Sequence, residues 1–166
     1  MVNRSKLIAG TGIMSMVAVL SLSPMGLDTI KQNEGLRTTQ YYDQAGVATI
    51  CYGSTGTGLK TATVEKCNEL LKRHTDDADR VLKKYIKVEL TQEQYDALHD
   101  FVHQYGEGKF KASTLLKKIN SGDCKGAVDQ FPRWRLVNGE FNKGVYNRSL
   151  RNAAKFSSGC IHWKQN

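Results

Sequence analysis

The rhythm of apolar and polar positions changes several times along this chain, and each change marks an element. Residues 7–27, LIAGTGIMSMVAVLSLSPMGL, carry no charge at all. A helix of that length reaches about 30 Å, the hydrocarbon thickness of a bilayer. Residues 28–34 then read as a short helical stretch ending at Gly35. Over residues 37–58, Thr, Tyr, Val and Ile alternate with polar residues, punctuated by Gly46, Gly53, Gly56 and Gly58. That is the pattern of a small antiparallel hairpin sheet. Across residues 62–86 the spacing becomes helical, with Val64, Cys67, Leu71, His74, Ala78, Val81 and Tyr85 forming one stripe. This helix, ~37 Å long by the helical rise, can act as a strut between two lobes. Thr91 with Gln94 starts a capped helix carrying Tyr95, Leu98, Phe101, Val102 and Tyr105, stopped by Gly106. Ser113 opens another, ended by Gly122; Asp123 caps a short third, ended by Pro132; a basic helix covers about residues 144–156. The expected architecture is α+β: a leading segment (residues 1–27), a small sheet-bearing lobe (about 28–60), a connecting helix (about 62–86) and a helical lobe (about 87–166).

The leading segment has three readings. A cleaved signal peptide finds small residues in Ser21 and Ser23, but Pro24 just beyond them fits a cut poorly. A buried core helix is the plainest reading. An uncleaved span is favoured, because apolar stretches of about 18 residues or more suit a bilayer. Arg4 and Lys6 precede it, which keeps the amino end cytoplasmic and sends the body across. Yet 8 of its 21 residues are Gly, Ser, Thr or Pro, so the bilayer would hold it only weakly.

Composition narrows the class. With 40% apolar and 24% charged residues in a chain of 166, disorder, collagen-like repeats and a multi-span membrane protein are excluded. The 24 Lys and Arg against 16 Asp and Glu give +8, which favours an anionic partner without naming it. Cys51, Cys67, Cys124 and Cys160 all lie beyond the uncharged stretch. In an exported body they suit two disulfides, with three connectivities open. The pairing favoured is Cys51 with Cys67, tying sheet to strut, and Cys124 with Cys160, tying down the tail. No cysteine lies in the span, so no disulfide can cage the protein from within it.

Several constellations compete for chemistry. Glu34 ends the first helix, Asp43 follows in a turn after Tyr42, and Thr49 lies on a strand. Each alone has a bland reading as a helix-end, turn or strand residue. His99-Asp100-Phe101-Val102-His103 places two histidines on one helix face, as in zinc sites. With Asp in place of Glu and no third ligand evident, they are read as partly exposed helix histidines, with no metal and no cofactor. Trp134 between Arg133 and Arg135 is read as a core anchor rather than a nucleic-acid contact. The basic carboxy-terminal stretch (Lys143, Arg148, Arg151, Lys155, Lys164) is read as a solvated face.

Glu34-Gly35-Leu36-Arg37, then Tyr42-Asp43, then Gly46-Val47-x-Thr49-Ile50-x-Tyr52-Gly53 resembles the phage-type lysozymes, the endolysins that cleave bacterial peptidoglycan. The Glu–eight–Asp–five–Thr spacing is that family's catalytic signature. The likeness continues through Ser113-Thr114-Leu115-Leu116, Ile119-Asn120 and Gly122-Asp123, over most of residues 30–150. Ala48 stands where the family often carries an aromatic residue, Cys51 where glycine is usual, and the tail after Arg148 matches poorly. The leading segment resembles the signal-anchor-release segments of one endolysin subgroup.

The resemblance implies hydrolysis of the β-1,4 bond between N-acetylmuramic acid and N-acetylglucosamine, with inversion. Such a bond needs a proton on the departing oxygen and negative charge near the oxocarbenium-like sugar. Glu34 is expected to be the acid, Asp43 the ionised partner, and Thr49 the group orienting water. The expected partners are glycan strands and, before release, the inner membrane; the released body would be a periplasmic monomer. A non-enzymatic, anchored cationic protein that disturbs membranes is the alternative, and an inactive wall-binding module a third reading.

Overall fold

The computed structural model describes residues 20–43 and 46–163. Most of the leading segment, residues 1–19, therefore lies outside the described residues, as does Lys164 of the basic stretch. Helix α1 (Pro24–Glu34) begins before the Asp28 suggested by the hydrophobic pattern. The Ser23 hydroxyl accepts the Gly26 N–H and Pro24 occupies the first turn, where its missing donor costs nothing. The last residues of the uncharged stretch thus belong to the body. Among the described residues no helix is long and apolar enough to cross a membrane.

After Gly35 the chain forms a three-stranded antiparallel sheet, β1 (Arg37–Tyr42), β2 (Ala48–Cys51) and β3 (Ser54–Thr55), in the order β1-β2-β3. Tyr41 pairs with Thr49 and Tyr42 with Ala48. The free edge of β1 is met by the segment leading into the next helix, through Gln40 N–H to Lys60 O and Ala62 N–H to Thr38 O.

Helix α2 (Val64–Tyr85), capped by Thr63, is the strut. Its first half gives Cys67, Leu70 and Leu71 to a small-lobe core shared with Ile30, Ile50 and Tyr52. Its second half gives Ala78, Val81 and Leu82 to the core of the other lobe. One helix thus belongs to two cores, and each fully buried Ile or Leu on it or against it contributes about 1.5–3 kcal/mol.

The helical lobe is built around α3 (Gln92–Ala112), opened by the Thr91–Gln94 capping box. Gly106, at φ 77° and ψ 169°, stops the first run of helix as expected, and a second short run continues beyond this kink to Ala112. Then follow α4 (Thr114–Asn120), α5 (Cys124–Val128), a short hairpin β4 (Leu136–Val137) and β5 (Glu140–Phe141), and α6 (Lys143–Ser157). The hairpin was not anticipated. Its signal was Asn138-Gly139, both at positive φ, a two-residue turn that suits the twist of antiparallel strands. The tail after α6 forms a 3₁₀ turn (Ser158–His162), and Trp163 donates its indole N–H to Gln94 Oε1 at 3.2 Å.

Cys51 is bonded to Cys67 and Cys124 to Cys160, the connectivity favoured above among three. The first ties the sheet to the strut, the second the tail to α5. Cys51 has φ 61°, in the left-handed region that glycine tolerates best. Here the disulfide holds a side chain in that conformation. The Trp134 ring stacks edge-on against Phe101 at 4.8 Å, as a core anchor.

Candidate active site

A groove of about 1060 Å³ runs between the lobes. Glu34 and Asp43 both line it, from opposite kinds of support. Glu34 is the last residue of α1, and Gly35 closes that helix by donating its N–H to Lys31 O. Asp43 follows β1, where its own N–H donates to Val47 O at 3.0 Å and its Oδ1 accepts the Val47 N–H at 2.8 Å. Thr49 is 3% exposed and is not among the groove-lining residues. Its hydroxyl donates to the same Val47 carbonyl at 2.9 Å, so it braces the turn that presents Asp43.

The Glu34 carboxylate sits in a charged network that the sequence did not announce. Arg148 Nη1 donates to Glu34 Oε1 at 2.9 Å, while Arg148 Nε and Nη2 grip Asp100 at 2.9 and 2.8 Å. Asn152 and Asn33 complete the shell around Asp100 at 2.7 and 3.2 Å. Arg148 is only 8% exposed, so its reading as part of a solvated face is corrected. Every fourth residue of α6 through Arg148, Asn152 and Phe156 faces inward, and the buried Asp100 of α3 accepts from the two polar ones. A buried guanidinium is tolerable only when paired in this way.

Of the two histidines, His103 is partly exposed as a residue, as expected, and only His99 departs from that reading. His99 is wholly buried, its Nε2 3.0 Å from Thr75 O, because α2 covers that side of α3. The His103 side chain is 6% exposed, with Nδ1 3.6 Å from Glu34 Oε1. Since the two face different partners, they do not converge on a common point. Among the described residues no group of three His, Cys, Asp or Glu is placed to hold a metal ion.

Burial pushes the Glu34 carboxyl up, but His103 and Arg148 beside it outweigh burial and hold it below the usual carboxylate range. Asp100 behaves alike: burial raises it, and Arg148 with its amide partners brings it down further. The other oxygen of Glu34 faces Gly53, where a Cβ would stand 3.1 Å from Oε2 and φ is 82°. Gly53 therefore lets the sheet approach the carboxylate closely, in a conformation that glycine adopts freely.

A phage lysozyme profile matches residues 31–152, which take in the sheet, the strut and the groove. The chain belongs to the phage lysozyme family. It is 41% identical to the SAR-endolysin of bacteriophage PS119 over 140 residues, 82% of each chain. It is 38% identical to the SAR-endolysin of enterobacteria phage P21 over 142 residues, 84% of each. Its structure superposes on the endolysin from Escherichia coli O157:H7 phage FAHEc1 with a TM-score of 0.74 at 30% identity, covering 82% of this chain and 93% of that one. As a phage lysozyme it is a glycoside hydrolase of peptidoglycan, and its relatives place it with the SAR-endolysins. The lysozyme fold expected from the sequence is the fold observed.

Proposed function

We propose that this lysozyme cuts the β-1,4 bond between N-acetylmuramic acid and N-acetylglucosamine by an inverting route, with Glu34 as general acid and Asp43 as general base. The observation that carries this reading is that both carboxyls line one groove between the lobes. Glycan strands lie along such a groove, and the acid protonates the departing oxygen as Asp43 takes a proton from the attacking water. Thr49 keeps its hydroxyl proton on Val47 O and acts through the turn, its brace keeping Asp43 in reach of that water. Turbidity clearing of purified peptidoglycan, with no membrane present, tests the assignment. Glu34→Gln and Asp43→Asn should each lower the rate about a thousand-fold while the protein remains folded. Clearing at the parental rate by either variant overturns its role, and no clearing by the parent favours a membrane-disturbing protein instead.

The uncharged stretch is proposed to hold the chain in the host inner membrane, body in the periplasm, until it leaves the bilayer and the protein acts as a free monomer. Support comes from its carboxy-terminal end. Leu20 packs on one core and Leu22 and Leu27 on the other, while Ser23 donates its N–H and hydroxyl to Asp96. Gly26 fits against Asp96 so closely that a Cβ would lie 2.8 Å from its Cγ. These contacts require residues 20–27 to leave any bilayer. Replacing Gly10, Gly12 and Ser15 with Leu should retain the protein in membranes and delay lysis; lysis on the parental schedule would show that release is not the switch.

A further inference from the structure

Hydrolysis as proposed leaves one groove side chain without a task. Neither ring nitrogen of His103 has a hydrogen-bond partner among the described residues, although the side chain is 94% buried by its 6% exposure. Buried polar atoms are ordinarily paired, so this ring stands out. Its Nδ1 lies 3.6 Å from Glu34 Oε1, and its edge meets the ring of His74 on α2, with 6.0 Å between centroids. His74 is half-buried and lines the same groove. His74, His103 and Glu34 therefore lie side by side on the groove wall. The other charged groups near His103 are Arg148 from α6 and Asp100 and His99 on α3 itself. Arg148 and Asp100 are matched to each other, and His99 is turned to Thr75.

The arrangement meets a specific difficulty. A general acid must carry a proton near neutral pH, yet the cations around Glu34 favour its ionised form. We propose that His103 stores the proton that Glu34 delivers. This rests on the reading of Glu34 as the acid. As proposed, the proton waits on His103 Nδ1, 3.6 Å from the Glu34 carboxylate. A sugar covering the groove excludes water, which penalises both ions, and one proton passes from Nδ1 to the carboxylate to leave a neutral pair. Glu34 then gives that proton to the leaving oxygen as the bond from C1 to that oxygen breaks. Water forms the new C1–O bond and its proton goes to Asp43. After products leave, Asp43 returns its proton to solvent and His103 regains one from the reopened groove. One proton enters and one leaves per turnover. His103 acts through Glu34 and is a positioning and relay residue.

The test is kcat/KM against pH on purified peptidoglycan for the parent, His103→Gln, His103→Ala and Glu34→Gln. His103→Gln keeps a polar side chain of similar reach but cannot titrate. It should lose about ten- to a hundred-fold at neutral pH, and the alkaline limb of its profile should move to lower pH, because the proton must then be kept by Glu34 beside Arg148. Imidazole added to His103→Ala should restore part of the rate. A His103→Gln limb at the parental position overturns the relay even if the rate falls, since that pattern is structural; so does a failure of imidazole to raise the His103→Ala rate. Glu34→Gln separates the two ideas. If it stays inactive while the limb does not move, only the relay fails; if it is active, the assignment of the acid fails first.

Discussion

The two walls of the groove present their carboxyls by opposite means. Asp43 is held locally, by two hydrogen bonds to Val47 and by Thr49 on the same carbonyl, all within six residues of chain. Glu34 is held by contacts that close over long stretches, with sequence separations of 114 from Glu34 to Arg148 and 48 from Arg148 to Asp100. A turn can be read from neighbouring residues. The ionisation of a buried acid depends on which distant cations the fold delivers. Asp43 is thus set by local backbone geometry and Glu34 by the assembly of both lobes through α1, α3 and α6.

The comparison can be broken first at the acid's support. Arg148→Met leaves Asp100 buried without its cation, and the expected loss is about 3–5 kcal/mol of stability by chemical denaturation. Asp43→Asn, by contrast, should cost about 1 kcal/mol or less, since only local hydrogen bonds change. Equal losses would contradict the distinction between the walls. Adding Asp100→Asn to Arg148→Met should recover part of the loss.

A smaller effect is expected at the wall that carries Asp43. Replacing both Cys51 and Cys67 by Ala should cost roughly 2–4 kcal/mol, read from the denaturation midpoint. With Gly rather than Ala at position 51, about 1 kcal/mol should be regained, because the backbone there sits at φ 61°. No difference between Ala and Gly would show that the turn relaxes once the disulfide is gone.

The smallest effect is in the pH dependence of stability. Glu34 and Asp100 are both held below their ordinary values of 4.5 and 3.8 in the folded protein. Such groups add stability that is present above the unfolded value and lost as pH falls through the folded one. The Tm should therefore be level down to about pH 5 and decline below it, with a shallower decline in Arg148→Met. A fall beginning near neutrality would point to other groups.

Much of the fold was legible because it rests on periodicity and caps. The strut stripe placed α2, and Thr91 with Gln94 placed the start of α3. Glu34 and Asp43 were legible as a spaced pair once the family pattern was met. Arg148 and His103 were not, because helical spacing shows which face a residue is on without showing what covers that face. The polar residues Asp96, Asp100 and His103 on α3 and Arg148, Asn152 and Lys155 on α6 recur at helical spacing and oppose one another in charge, and that complementarity was the available signal. The Asn138-Gly139 hairpin leaves little trace in the hydrophobic pattern because its strands are two residues each, too short for alternation to register.

The most direct test of the account is mass analysis of the soluble fragments released from purified peptidoglycan, after reduction of their new ends. Reduced muramic acid at those ends, absent when Glu34→Gln is used, is the result expected of two carboxyls acting across this groove. Reduced glucosamine ends, or intact glycan with severed peptide links, would contradict it.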